Sequence, residues 1–218
     1  MAELDPAHVE PGGPAHHYPG GPLVVTKLSV GPYDNNAYLL ADPETREALL
    51  VDAANDEERL LGLLNGVELL GIVTTHRHPD HVQALPAVLR AHDVWNGAHP
   101  ADAEEIAAEV GVHPDRPLEH GASIEVGRFD VGVLHTPGHT DGSISFKLPS
   151  DHVLTGDALF PGGVGKTAGR AAFEQAIASA EQHLLSLPAR TRISPGHGDD
   201  TDVGTELPQL DEWKARGW

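Results

Sequence analysis

The sequence predicts an α/β fold, a sandwich of sheets flanked by helices, and three observations support this prediction. Short apolar segments with strand character recur along the chain and end at turn signals such as Gly31-Pro32. Amphipathic helical patterns lie between them, as in residues 57–64, where leucines fall on one face. Strands and helices therefore mix in both halves of the chain, and a length of 218 residues suits one domain with a substantial core.

The predicted elements follow in order along the chain. Residues 1–22 are rich in Pro, Gly and His without periodicity, so we expect a flexible N-terminal segment there and a single domain over residues 23–218. Apolar patterning predicts strands over residues 23–30, 36–41, 48–53, 71–75, 93–95, 129–134, 143–147, 152–154 and 192–194. Helical periodicity predicts helices over residues 57–64, 175–185 and 209–215. A further helix starts near residues 83–85, because Pro86 is tolerated in a first turn but not in the middle of a helix.

Composition limits the classes of partner and compartment. Acidic residues outnumber basic ones 33 to 14, and a net charge of −19 repels phosphate, so we expect neither nucleic acid nor a membrane as a partner. The chain has no cysteine, hence no disulfide, thiolate ligand or thiol nucleophile. Its apolar runs are too short to span a bilayer, and its N-terminus lacks the features of a secretory signal. We therefore expect a cytoplasmic protein that acts on a small molecule.

Fifteen histidines are many for this length, and four potential metal ligands fall within residues 76–81, which read His-x-His-x-Asp-His. Residues i and i+2 of extended backbone point to the same side, so His76 and His78 can chelate one ion. Asp80 and His81 follow where the chain turns and can face a second position. Imidazole and carboxylate groups are common ligands of divalent transition metals, so this spacing predicts a metal site.

Three further loops each place one candidate ligand just after a predicted strand, beside Gly or Pro residues that permit a tight turn. These candidates are His139, Asp157 and His197. A single residue of this kind is weak evidence. Together with residues 76–81, these three residues place candidate ligands in four loops at strand ends, which strengthens the prediction of a metal site. Seven other histidines are interpreted as surface or structural residues: His92, His99, His113, His120, His135, His152 and His183.

The order His-x-His-x-Asp-His, Gly-His, Gly-Asp and Gly-His resembles the metallo-β-lactamase superfamily over about residues 23–200. The resemblance implies an αββα sandwich with the site along one edge of the two sheets. It also implies two divalent metal ions, with zinc as the default and iron or manganese as other occupants. One ion is assigned to His76, His78 and His139, the other to Asp80, His81 and His197, with Asp157 as the bridge. Asp52 matches a supporting acidic residue of the family, although a turn or cap role explains it equally well.

Residues 156–166 contain Gly-Asp-x-Leu-Phe followed by Gly-x-Gly-Lys, which resembles glyoxalase II, the hydroxyacylglutathione hydrolase. In that family the lysine engages a carboxylate of the substrate. The resemblance therefore implies that Lys166 binds an anionic thioester or ester at the mouth of the pocket. Arg77 is a departure, because that family often has a third histidine at this position.

The ligand set implies hydrolysis by a hydroxide that bridges two ions about 3.5–4 Å apart and attacks an acyl carbonyl. Asp80 and Asp157 are the expected catalytic residues, because they orient the hydroxide and can relay a proton. The main alternative is a persulfide dioxygenase, which binds a single iron through residues equivalent to His76, His139 and Asp157. A lactonase of the same fold is a second alternative. A binding protein without activity is disfavoured because all seven ligands are present.

Overall fold

The computed structural model describes residues 5–217, and within that range the strands form two sheets. The strands are β1 His16–His17, β2 Val24–Val30, β3 Asn35–Ala41, β4 Glu47–Val51, β5 Glu68–Val73, β6 Trp95–Ala98, β7 Arg116–Pro117, β8 Ser123–Val126, β9 Phe129–His135, β10 Ile144–Lys147, β11 His152–Gly156, β12 Arg192–Pro195 and β13 Thr201–Asp202. The helices are α1 Glu57–Leu63, α2 Leu85–Ala91, α3 Pro100–Val110, α4 Arg170–Ser179, α5 Val203–Glu206 and α6 Leu210–Arg216. Helix α4 continues into a π-helical turn over Ala180–Leu184.

The first sheet has the order β1-β2-β3-β4-β5-β6-β7, and the second has the order β13-β12-β11-β10-β9-β8. Strands β1 to β4 pair antiparallel, whereas β4 to β7 pair parallel and are joined by crossovers through α1, α2 and α3. In the second sheet β11 and β12 are parallel neighbours, and the crossover between them contains α4. Parallel neighbours need such long connections, which is why the helices lie on the sheet faces.

The core consists of three apolar layers. The middle layer packs the sheets against each other, with Leu40 and Leu49 from the first and Val133 and Phe146 from the second. One outer layer packs the first sheet against α1, α2 and α3, and the other packs the second sheet against α4 and α6. This arrangement confirms the predicted single-domain αββα sandwich. Among the described residues, no helix is long and apolar enough to cross a membrane.

Residues 5–22, the described part of the segment predicted to be flexible, contact the rest of the domain, while residues 1–4 lie outside the described range. The flexibility of the segment stays a prediction. Ala7, Val9 and Tyr18 are buried, and β1 pairs with β2. The ammonium group of the buried Lys27 donates to the carbonyl of Ala7 at 3.1 Å. A few apolar side chains without periodicity are thus enough to hold residues 5–22 against the domain.

Several predicted boundaries shift and some elements were missed. The strand predicted over residues 48–53 ends at Val51, because Asp52 adopts a left-handed φ of 59°. The helix predicted over residues 175–185 begins earlier, at Arg170. Helix α3 and the short elements β1, β7, β8, β13 and α5 were not predicted. Strands of two to four residues contain too few residues for a periodic pattern to show.

Candidate metal centre

Four loops meet at one edge of the sandwich, and each carries predicted ligands. Residues 76–81 follow β5, and their last three residues form a 3-10 turn that redirects Asp80 and His81. His139 lies between β9 and β10, Asp157 directly follows β11, and His197 follows β12. The structure therefore brings all seven sequence-predicted ligand residues into one cluster of side-chain donors. Their role as metal ligands stays a prediction.

The first metal position is the space between His76, His78 and His139. The Nε2 atom of His76 lies 3.0 Å from Nδ1 of His78 and 3.2 Å from Nε2 of His139. Nε2 of His139 lies 2.8 Å from Nδ1 of His78. Nitrogens bound tetrahedrally to zinc at 2.0–2.1 Å would lie about 3.3 Å apart, so this triangle is close to the size that one ion needs.

The second metal position is the space between Asp80, His81 and His197. Nε2 of His81 lies 3.1 Å from Nε2 of His197, and Oδ2 of Asp80 lies 3.4 Å from Nε2 of His197. Asp157 stands between the two positions. Its Oδ2 atom is 3.4 Å from Nε2 of His139 and 3.5 Å from that of His197. One carboxylate thus reaches ligands of both positions.

The donor set fits divalent metal ions on the evidence of a buried oxygen that has no hydrogen bond. Oδ1 of Asp157 accepts no hydrogen bond from the described residues, and Nε2 of His81 lies 3.5 Å from it. A buried carboxylate oxygen without a donor is costly, since folding removes its water and supplies no replacement. A cation beside Oδ1 would satisfy it, and the imidazole nitrogens that surround it are ligands for such a cation.

Hydrogen bonds on the outer side of the rings fix which nitrogen faces inward. Nδ1 of His139 donates to the carbonyl of Lys166 at 2.6 Å, and Nδ1 of His197 donates to the carbonyl of Tyr33 at 2.8 Å. Nδ1 of His81 lies 2.9 Å from the Asp52 carboxylate. Because carbonyl and carboxylate oxygens only accept, the proton sits on Nδ1 in each neutral ring and Nε2 presents its lone pair to the centre.

Asp52 lies beneath the second metal position and is almost completely buried. Besides His81, its carboxylate accepts from the backbone N–H of Thr75 at 2.7 Å and from the Thr75 hydroxyl at 2.8 Å. Because the hydroxyl proton is used in this way, Thr75 Oγ1 accepts from Nδ1 of His76 at 3.0 Å. Asp52 therefore orients ligands of both positions, which favours the supporting role over a turn role.

The two positions differ in the protonation of their histidines. Burial, reinforced by neighbouring imidazoles, lowers the pKa of His76, His78 and His139, so these rings are neutral near pH 7. Burial also lowers the pKa of His197, but its hydrogen bond to Asp157 and the charge of that carboxylate outweigh burial and raise it to about 9. A metal ion requires neutral imidazole, so an ion in the second position displaces a proton from His197.

Two asparagines at the start of β3 belong to the site and were missed from sequence. The Asn35 amide donates to Oδ2 of Asp80 at 3.0 Å. The Asn36 amide donates at 3.0 Å to the carbonyls of Pro195 and Gly198, on either side of His197. Both asparagines are fully buried, and two adjacent amides at the start of a strand are the signal that could have found them.

Lys166 lies outside the ligand cluster but beside it. Its side chain is exposed, and its carbonyl holds the ring of His139. Residues 160–167 and Arg216 line an open cavity of about 520 Å³ that adjoins the site through Lys166. The seven histidines interpreted as surface or structural residues lie outside the ligand cluster; His99 and His135 stack on each other with ring centroids 4.0 Å apart.

Comparisons with known proteins agree with the fold. The family model described as the metallo-beta-lactamase superfamily matches residues 30–197. The probable metallo-hydrolase YqgX of Bacillus subtilis is 32% identical over 202 residues, covering 84% of this chain and 94% of that protein. The crystal structure of TTHA1623 in a di-iron-bound form superimposes with a TM-score of 0.73 at 36% identity, covering 83% of this chain and 96% of that one. The crystal structure of ETHE1 from Myxococcus xanthus superimposes with a TM-score of 0.74 at 30% identity, covering 84% of this chain and 80% of that one. With its αββα sandwich and its cluster of histidines and aspartates at the sheet edge, this chain belongs to the metallo-β-lactamase superfamily.

Proposed function

We propose that the protein is a dinuclear metal-dependent hydrolase of an anionic thioester or ester. The observation that carries the proposal is the position of Asp157 between two sets of ligands, with a buried oxygen that no described residue satisfies. The similarity to a probable metallo-hydrolase supports hydrolysis, and the similarity to a di-iron-bound structure supports two ions. Zinc is the default metal for a hydrolytic site of histidines and carboxylates, and iron or manganese also suit these ligands.

Two bound divalent ions would supply a water of lowered pKa and an electrophile for the acyl oxygen. The residues of the chain hold and orient the reactants around them. Asp80 is fixed by the Asn35 amide, and Asp157 lies between the two sets of proposed ligands, where one of these carboxylates can hold the proton that an attacking water loses. A thiolate leaving group needs little help from an acid, which suits a thioester as the substrate.

The cavity beside the site suggests the charge of the substrate. The chain carries a net charge of −19, so an anionic substrate needs a local cation to approach. The exposed Lys166 supplies one, and the hydrogen bond from His139 to its carbonyl holds its backbone beside the site. A substrate carboxylate bound there would place the acyl group next to the ligand cluster.

The test is hydrolysis of matched acyl thioesters, esters and lactones by the metal-loaded protein, followed by the K166A variant. For a thioester that carries a carboxylate, we expect K166A to raise KM about 10-fold with little change in kcat, as for the loss of a charge-assisted hydrogen bond. A neutral thioester should be unaffected. The control is K147A, which removes an exposed lysine of β10 outside the cavity. Equal effects of K166A on both substrates would contradict the anion-binding role.

The alternative is a mononuclear iron dioxygenase that would use His76, His139 and Asp157 alone. It leaves the buried His81 and the pairing of Asp80 with Asn35 without a function. Oxygen uptake with a persulfide substrate, together with no hydrolysis of any thioester, ester or lactone, would favour this alternative over the proposed hydrolase.

A further inference from the structure

A buried carboxylate in α3 joins the two loops that carry the first metal position. Asp102 is completely buried in the first turn of the helix. Its Oδ1 accepts from the Arg77 guanidinium at 2.8 Å and from the backbone N–H of Gly142 at 2.9 Å. Its Oδ2 accepts from the backbone N–H of Arg77 at 2.9 Å and from the Thr140 hydroxyl at 2.6 Å. Arg77 and Thr140 are adjacent to predicted ligands in the sequence, and Gly142 lies three residues after His139.

These loops come from different sheets, so their relative position is not set by strand pairing. Arg77 lies between His76 and His78, after β5 of the first sheet, whereas Thr140 follows His139, after β9 of the second sheet. The carboxylate of Asp102 connects the two loops directly. Together with the backbone hydrogen bond from the N–H of Ile144 to the carbonyl of Thr75 at 2.9 Å, it constrains the separation between the His76–His78 pair and His139.

Two further contacts hold the start of α3 against the region between β9 and β10. Gly142 permits the close approach, because a Cβ there would lie 2.5 Å from Cγ of Asp102. His99, which precedes α3 and caps it, stacks on His135 at the end of β9. The start of the helix therefore contacts the β9–β10 loop region at two separate points.

We propose that Asp102 and Arg77 are positioning residues that set the geometry of the first metal position; this inference rests on the proposed function. Neither side chain is in the ligand cluster, so each acts through His76, His78 and His139. The carboxylate accepts charge-assisted and backbone hydrogen bonds with both oxygens, which holds it in one orientation. Arg77 donates to this carboxylate from the position where the glyoxalase II family often has a third histidine.

The test is titration of metal-free protein with Zn²⁺ against a chromophoric chelator, comparing wild type, D102N, R77A and D42N. Loss of an outer partner typically costs 10–100-fold in metal affinity, so D102N should weaken one of the two dissociation constants by that factor. R77A should weaken the same constant less, since three donors to Asp102 remain. H78A and H197A identify the two positions, and the weakened constant should be the one that H78A abolishes.

Asp42 is the matched control. It is completely buried, and its carboxylate joins two loops through Arg128 and backbone N–H groups at 2.8–2.9 Å. D42N should lower thermal stability, as D102N does, but leave both zinc affinities within about 2-fold of wild type. If D102N does not fold, R77A, whose side chain is partly exposed, carries the same test.

The outcomes separate this inference from the proposed function. Two tight ions in wild type with unchanged affinities in D102N or R77A would overturn the positioning role alone. Equal losses of affinity in D102N and D42N would also overturn it, because they would show a general loss of stability. A wild-type protein that binds no ion would overturn the proposed function and this inference with it.

Discussion

At the residue scale, the candidate site contains, besides the predicted ligands, buried side chains that form hydrogen bonds to these ligands or to their loops. Asp80 and His81 were found from their spacing in the sequence, because neighbouring ligands leave a local pattern. Asp102 left no such pattern, and Asn35 left only the pair of adjacent amides at the start of β3. Their partners are 25–40 and 45 residues away, so only the fold shows these contacts. Asp52 could be identified only in part from the sequence. The family resemblance indicated a supporting role, while the residue pattern left a turn role open.

Substitution of Asp52 tests whether this residue supports the second metal position. We expect D52N to lower the zinc affinity of the second metal position 10–100-fold, because an amide cannot accept from His81 and Thr75 with both of its polar atoms. Chelator competition measures this change. The control is D56N, at another aspartate with positive φ, whose Oδ2 accepts from Gly31 at 2.9 Å on an exposed turn. Wild-type affinity in D52N would contradict the supporting role.

At the element scale, the strands and helices with clear periodicity were predicted, and short or atypical ones were not. Strand β2 has a long apolar pattern and was placed to within one residue. Helix α3 has a readable signal that the prediction omitted, with Pro100 in its first turn and an alanine- and glutamate-rich sequence. Strands β7 and β13 have two residues each, so their pairing follows from tertiary contacts rather than from a local pattern.

The packing of α4 on the loop that carries His139 gives the prediction at this scale. Gly138 has φ 137°, and a Cβ there would lie 2.4 Å from backbone atoms of Ala176 in α4. We expect G138A to lower the free energy of unfolding of the metal-free protein by about 2 kcal/mol or more through strain and overpacking. It should also weaken the first metal position, because the loop must move.

Chemical denaturation and zinc titration measure these two effects. The control is G132A in β9, where the nearest atoms lie 3.8 Å from the added Cβ and the backbone is not strained. Similar losses in both variants would show that the contact with α4 does not constrain the loop.

At the scale of the whole molecule, both sheets are covered on two faces, and this explains why the fold was predictable. Near-continuous apolar strands such as β4 and β5 require helices on the outer face and a second sheet on the inner one. The order of strands within each sheet was not predicted, because it is set by long-range pairing. The course of residues 5–22 over the domain was likewise not predicted, since it depends on contacts with distant residues.

A buried histidine far from the ligand cluster gives a prediction about acid stability. Burial, followed by the charges of Arg192 and Lys27, lowers the pKa of His152 to about 3. The unfolded chain binds this proton near pH 6.5 and the folded protein does not, so stability from this group falls as pH drops from about 6.5 toward 3. The slope reaches about 1.4 kcal/mol per pH unit.

Replacing His152 tests this directly by chemical denaturation over that pH range. H152Q keeps a polar partner for the Ser194 hydroxyl, which lies 2.7 Å from the ring. We expect its loss of stability between pH 6.5 and 4 to be smaller than that of wild type. The exposed H113Q substitution serves as the control and should follow wild type. If the free energy of unfolding of H152Q and wild type changes equally with pH, His152 does not contribute to the acid sensitivity of the fold.

The number of metal ions per chain decides whether the protein is dinuclear, and elemental analysis measures it on protein purified without added metal or chelator. We expect about two divalent ions per chain, as zinc or as a mixture with iron or manganese, and a fall to one or fewer in D157N. One iron per chain in wild type, with no second ion taken up on addition of zinc, would contradict the dinuclear hydrolase.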